Sequence, residues 1–463
     1  MPAAPRNRIF AALVYLAFFA SGAASLMAEV TWNRMLIVVV GNSLQAAAMI
    51  IMVFMGGLGL GSWTAGRLLA KRRVSLLPYF GLELAIGLYV LASPALFAAL
   101  KGMFMGLAAD SGGGSGLGLV RMGVSMLALL PPAFLMGATF PAMVAGASLD
   151  APTPGSARTG YLYSINTLGA ALGCFAAGYY MLLELGVAVT LKAAFGAYLV
   201  AAVSGMIANL LRDRSVPAEV AAGDEAAAPA DGRRFLMAAT LAVGFVALAY
   251  EVLLTRISIL YLGNTISVFP LVLTAFLLGT GFSAIAGTWL YGLWQRRGRA
   301  ADALFTGAAA VAGVLLLATP YMLLTDAVIG ADRHAKYSNQ FAQNPLPILG
   351  VLLLPVVFLG ALLPLAIRML APSGRGKAAR EAATLYALNT AGVLLGAGIV
   401  NHTLVPAIGL QKTLALLAGL LLLVAAGNAA RRRASAAIRG GILAAAVAAA
   451  LVAAFVLPNL TTL

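Results

Sequence analysis

Charge is what this chain has least of. Only 10% of its 463 residues are charged, against roughly 25% in a soluble globular domain, and the shortfall excludes an ordinary water-soluble fold. Cysteine is almost absent too. The one residue present, Cys174, excludes an internal disulfide and a multi-cysteine metal site, and reads as a small residue packed in a helix. Neither of the polar stretches Asp110 to Gly118 and Thr325 to Pro347 contains a metal-spaced cluster or a nucleophile with a nearby base, and we expect no metal, no cofactor and no catalytic residues. Gly57-Leu58-Gly59 looks like the start of a nucleotide-binding loop, but no strand precedes it and no phosphate-binding lysine follows. No cleavage site follows the first apolar run, and Met1 to Arg8 is short and basic, so that run reads as a retained span.

What is abundant is apolar surface, at 62% of residues. A helix needs about 20 apolar residues to cross a hydrocarbon core of roughly 30 Å. On that basis thirteen spans are expected, near 9–31, 43–66, 76–100, 119–147, 159–183, 187–210, 235–260, 266–294, 302–324, 346–370, 382–404, 410–429 and 438–457. The first apolar stretch continues to Val40, which predicts a kink around Ser21-Gly22 or a tilted helix. The net charge of +15 would suggest nucleic acid in a soluble protein. Here 22 of the 30 Lys and Arg fall in alternate connections, so the excess reads as topology and no nucleic-acid partner is expected. The positive-inside bias puts the N-terminus in the cytoplasm and, with thirteen spans, the C-terminus outside.

The chain also repeats itself. Glu29, Arg34, Gly41-Asn42, Phe54, Gly57 and Gly59 recur as Glu251, Arg256, Gly263-Asn264, Phe276, Gly279 and Gly281, all at an offset of 222. Further on, Pro132, Gly137, Pro141, Tyr163, Asn166-Thr167, Gly169, Gly173, Gly186 and Thr190 recur at an offset of 223, as Pro355, Gly360, Pro364, Tyr386, Asn389-Thr390, Gly392, Gly396, Gly409 and Thr413. Six spans repeat as six spans, and an even number makes the two halves parallel. The expected organisation is therefore a first membrane repeat over 1–211, a flexible cytoplasmic linker over 212–234, a second repeat over 235–430, and a basic loop with an additional span over 431–463. The linker is poor in bulky apolar residues and rich in Ala, Pro and charge. Asp110 to Gly118 (DSGGGSGLG) and Thr325 to Pro347 are expected as external loops.

The candidate site residues are the polar groups that the spans carry. Glu29 and Glu251 lie in the duplicated motif; either each is locked to an arginine as a packing device, or they form a cation or proton site. Glu29 and Arg34 are five residues apart, about 140° round a helix, so cross-repeat pairs are expected instead: Glu29 with Arg256 and Glu251 with Arg34. Glu83, in FGLELAIGLY, has no counterpart in the second repeat and no arginine on its own span. Tyr163 with Asn166, and Tyr386 with Asn389, share helix faces and could serve as interhelical ties or substrate contacts. Asn401 and His402 read as hydrogen-bonded helix contacts. The glycines four apart in the second, fifth and eleventh spans read as close helix packing.

The blocks AEVTWNRMLIVVVGNS, FMGGLGLGSWTAGRL, FGLELAIGLY, LMGATFPAM and GYLYSINTLGAALG resemble the transmembrane region of bacterial membrane-integrated spermidine-synthase-like proteins. That family is described as a major-facilitator-like membrane part fused to a polyamine aminopropyltransferase domain. The chain ends on PNLTTL without such a domain, so no enzyme activity is carried over. The resemblance implies an all-α, major-facilitator-like protein of the bacterial cytoplasmic (inner) membrane and a link to polyamines or other cationic metabolites. The leading expectation is a secondary transporter of a small, polyamine-like substrate working by alternating access between the parallel bundles, with Glu29, Glu83, Glu251, Tyr163, Asn166, Tyr386 and Asn389 as its contacts. The alternative is a non-transporting scaffold in the lipid bilayer that anchors a separately encoded soluble or membrane partner.

Overall fold

The computed structural model describes residues 5–40, 44–69, 75–110, 114–147, 155–211, 230–262, 268–297, 302–324, 346–370 and 375–432, with 441 and 444. Every described element is helical, as backbone polar groups in hydrocarbon require. The helices are α1 (Pro5–Val40), α2 (Leu44–Leu69), α3 (Leu77–Asp110), α4 (Gly114–Ala147), α5 (Gly155–Ala176), α6 (Gly186–Leu211), α7 (Ala230–Leu262), α8 (Val268–Arg296), α9 (Asp302–Leu324), α10 (Leu346–Leu370), α11 (Arg375–Ile399) and α12 (Val405–Arg431). Among the described residues, nine helical stretches are long and apolar enough to span a membrane; two of these, Gly160–Leu211 and Thr384–Arg431, each contain a pair of consecutive helices. The protein is an all-α, multi-pass membrane protein. Residues 212–229 of the expected linker, the loop over 325–345 and the thirteenth span lie outside the described residues, apart from isolated positions 441 and 444. Residues 230–234 form the first turns of α7.

One expectation is corrected. The first apolar stretch, expected to kink around Ser21-Gly22 or to tilt, is one helix of 36 residues, about 54 Å at 1.5 Å per residue. Gly22 serves packing: a methyl group there would stand 2.0 Å from Asn166 O on α5. The glycine-rich stretch from Asp110 to Gly118 is not a loop throughout, since α3 runs to Asp110 and α4 starts at Gly114. Once a helix is nucleated, each added residue gains a hydrogen bond, and this outweighs the cost of roughly 1 kcal/mol per glycine.

The chain forms two compact units, Met1–Thr153 with Ile165–Val220, and Pro154–Ser164 with Ala221–Leu463. The same packing devices build each. In the first, Gly169 and Gly173 of α5 lie against Phe19 O and Ala23 O of α1, where an added methyl would come within 2.1 Å. In the second, Gly392 and Gly396 of α11 lie against Leu241 O and Phe245 O of α7, at 2.1 and 2.4 Å. Gly61 and Gly137 similarly bring α2 and α4 together, as Gly279 and Gly360 do α8 and α10. Small residues at these contacts let backbones meet, and van der Waals attraction replaces the hydrophobic driving force that lipid removes. Around them, Trp32, Leu36, Ile86, Val90, Ala128, Ala194 and Tyr198 form the core of the first unit.

The ends of α5 and α11 also correspond. Each runs into a π-helical segment, Ala177–Leu185 and Val400–Leu404, starting at positions 223 apart. Each then turns at a glycine of positive φ, Gly186 at 77° and Gly409 at 79°. The Thr190 and Thr413 hydroxyls donate back to Gly186 O and Gly409 O at 2.8 and 2.7 Å.

Candidate functional site

Glu83 is fully buried inside the first unit. It sits on α3 one turn after Tyr79, so the two side chains share a face. α1 supplies the facing surface with Ser21, Ser25 and Glu29, spaced four apart along one stripe. The Ser21 hydroxyl donates to Glu83 Oε1 at 2.6 Å. The Tyr79 hydroxyl donates to Ala17 O at 3.0 Å, and the Phe18 ring stands edge-on to the Tyr79 ring, centroids 6.2 Å apart. From α6, the buried Tyr198 meets Ser25 through their hydroxyls at 3.0 Å. Glu83 Oε2 is buried and has no hydrogen-bond partner among the described residues. No lysine or arginine pairs with this carboxyl group there either, and an isolated carboxylate out of water is costly. The arrangement can bind and release a proton or hold a small cation.

Glu29 is half-buried one turn beyond Ser25. Glu251, its counterpart on α7, is half-buried. Its neighbour Tyr250 is fully buried and shares a 2.6 Å hydrogen bond with the Thr319 hydroxyl of α9. Each repeat arginine has a partner in its own unit: Arg34 donates to Leu182 O at 3.3 Å and Arg256 to Asn401 Oδ1 at 2.6 Å. Both partners lie in the π-helical segments, so the duplicated arginine and the duplicated π-turn are one device used twice.

Asn166 acts as a helix tie, its amide donating to Phe18 O at 2.9 Å. Asn389 presents its backbone carbonyl 2.1 Å from a methyl placed on Gly244. Tyr163 and Tyr386, both within the second unit, stand edge-on with ring centroids 6.5 Å apart. Cys174 is buried, Glu184 and His402 are exposed, and no metal-binding group of three or more His, Cys, Asp or Glu occurs among the described residues. The structure thus gathers Glu83 with Ser21, Ser25, Tyr79 and Tyr198, four residues that the sequence reading did not select. The four-residue spacings of Ser21-Ser25-Glu29 and Tyr79-Glu83 were the available signal.

No protein-family model matches the chain, and no curated protein matches it. Solved structures do. A bacterial homologue of the iron transporter ferroportin in its outward-facing state aligns with a TM-score of 0.56 at 14% identity, over 90% of this chain and 98% of its own. The human organic anion transporter MFSD10 aligns at 0.52 and 14%, over 91% and 99%. An auto-inhibited peptide transporter of the POT family aligns at 0.53 and 13%, over 92% and 97%. At these identities the likeness is one of fold, and the fold is the major-facilitator-like one.

Proposed function

We propose that this protein is a secondary transporter of a small metabolite, working by alternating access of its two repeats. The observation that carries the reading is Glu83, a fully buried carboxyl group with an orphaned oxygen and no cationic partner among the described residues. A carboxylate kept only for packing would be paired, because an unpaired one costs stability and returns nothing. The fold supports the same reading, since its structural neighbours are named as transporters of iron, organic anions and peptides. Those cargoes differ chemically, so the substrate class is argued from this chain. Three carboxylates, Glu29, Glu83 and Glu251, favour a cationic, polyamine-like metabolite, with Tyr163, Asn166, Tyr386 and Asn389 as further contacts. The protein would sit in the cytoplasmic membrane of a bacterium with its N-terminus inside.

Uptake of labelled polyamines and amino acids into proteoliposomes, with and without a pH gradient, tests the proposal. Saturable uptake of a polyamine that Glu83→Gln alters supports it. Absence of uptake for every cargo would replace it with a scaffold that anchors a separately encoded partner.

A further inference from the structure

The corner of the second unit where α8, α10 and α12 end and α9 begins carries more positive charge than its packing explains. Three arginines meet there, Arg368 in the last turn of α10 and Arg431 and Arg432 at the end of α12. Tyr291 of α8 interacts electrostatically with Arg368, Arg432 and Asp302, and Arg431 interacts with Arg432 and Asp302, so these groups share one neighbourhood. Against the three arginines stands one carboxylate among the described side chains, Asp302 at the start of α9, and it is paired with Arg432. Arg368 and Arg431 are half-buried, and each lies over an aromatic ring, Arg368 over Tyr291 at 5.6 Å and Arg431 over Phe235 at 5.4 Å. A guanidinium stacked by its face keeps its hydrogen-bonding edge to offer. Arg431 gives one hydrogen bond, to Asn428 Oδ1 at 3.2 Å. The Nε of both Arg368 and Arg431 is buried without an acceptor among the described residues.

The first repeat shows that packing does not call for these charges. At an offset of 223 it has Tyr79, Ala145, Ala208 and Asn209 where the second has Asp302, Arg368, Arg431 and Arg432. Its corner closes with neutral contacts: Leu76 N donates to Asn209 Oδ1 at 3.1 Å, and Gly205 makes room for the Tyr79 ring. The same helix ends thus meet through neutral side chains in one unit and through a surplus of guanidinium in the other. Half-buried charge is costly until a counter-charge meets it.

We propose that Arg368, Arg431 and Arg432 form a binding site for a phosphate group, carried by an anionic lipid headgroup or by free phosphate. A phosphate presents several acceptor oxygens, which the flat forks of arginine engage in pairs. A polyamine would be repelled, so the site is separate from the cationic cargo and goes beyond the transporter reading. Bound phosphate ties the end of α10 to the end of α12 and stabilises the folded state by linkage.

Thermal unfolding of the full-length protein, stripped of lipid in an uncharged detergent and followed by tryptophan emission, tests the site in two arms. One titrates inorganic phosphate against sodium chloride at matched ionic strength; the other titrates phosphatidylglycerol against phosphatidylcholine. A saturable rise in melting temperature is expected with phosphate or phosphatidylglycerol and not with its control. A rise in the first arm supports the site with free phosphate as a sufficient ligand, and a rise confined to the second supports it with a lipid headgroup as the source. Arg368→Gln and Arg431→Gln should each weaken that binding about tenfold, the equivalent of one charge-assisted hydrogen bond. Arg67→Gln should leave it unchanged: Arg67 also stacks on a ring, that of Trp63 at 4.0 Å, but is exposed and belongs to the first unit. Where a glutamine variant does not fold, Arg368→Lys takes its place, since lysine keeps the charge, loses the fork and should weaken binding too. No saturable rise in either arm, an equal rise with chloride, undiminished binding in the Arg368 and Arg431 variants, or equal weakening by Arg67→Gln overturns the site. No cargo enters the measurement, so a failure of transport leaves the phosphate site standing, and its own failure leaves the transporter reading untouched.

Discussion

Among single residues, exposure decides which polar contact matters. At the junction of α9 and α12, Arg432 forms an ion pair with Asp302, but its side chain is 48% exposed. Beneath that pair, Asn428 is fully buried and donates to Asp302 O and Thr306 Oγ1 at 3.2 and 2.9 Å. Arg432→Gln should therefore cost no more than about 1 kcal/mol, whereas Asn428→Ala should cost about 1–3 kcal/mol by leaving buried partners unmet. Denaturant unfolding in detergent, monitored by circular dichroism, orders the two; a larger loss for Arg432→Gln would contradict the argument. The repeat arginines call for a cycle. Arg256 and Asn401 share a hydrogen bond of 2.6 Å, so their double mutant should be non-additive by roughly 1 kcal/mol or more. The cross-repeat pairs of Glu29 with Arg256 and Glu251 with Arg34 stand as a separate proposal. They predict a coupling of the same kind between Glu29→Gln and Arg256→Gln, and strict additivity there would dismiss them.

At the level of helices, glycine separates into two populations. A methyl group added at Gly173 or Gly396 would stand only 2.1 or 2.4 Å from a neighbouring carbonyl oxygen, while one added at Gly102 or Gly106 would meet nothing within 4 Å. Gly173→Ala and Gly396→Ala should each force helices apart and cost about 1–3 kcal/mol or more. Gly102→Ala should be neutral or stabilising by up to about 1 kcal/mol, because alanine loses less backbone freedom in a helix. Gly186 behaves in a third way: its surroundings are open, yet its φ of 77° is strained for any residue with a Cβ. Gly186→Ala should cost roughly 1–2 kcal/mol. Melting temperatures of the four variants check the ranking, and equal losses at Gly102 and Gly173 would refute the close-packing account.

For the molecule as a whole, the prediction is orientation. From the alternation of basic connections, Arg67 and Arg432 are predicted in the cytoplasm and Glu184 and His402 outside, and all four positions are exposed. Since Cys174 is the one cysteine and is buried, its replacement gives a clean background for single-cysteine labelling. An impermeant maleimide added to intact cells should modify cysteines at 184 and 402 and spare those at 67 and 432. Labelling at 67 or 432 would invert the topology.

The sequence by itself determined the class of the protein and its internal symmetry. Low charge and long apolar runs leave no other way to satisfy a backbone in hydrocarbon than helices. The recurrence of Gly169, Gly173 and Gly186 as Gly392, Gly396 and Gly409 showed that two bundles share one packing scheme, because a close backbone approach tolerates so few residue types. Where local spacing was ambiguous, tertiary structure decided. Gly22 read as a place where the first span kinks or from which it tilts, and it is a contact surface for α5; Asn166 read as a helix tie ahead of a substrate contact, and it ties α5 to α1. Glu83 was visible as a carboxylate without an arginine on its helix, but its setting was not. Ser21 lies 62 residues away from it, and Ser25 lies 173 from Tyr198. In a membrane bundle a polar side chain finds its partners on neighbouring helices, so which groups meet depends on how whole helices pack, a property that no spacing along one helix contains.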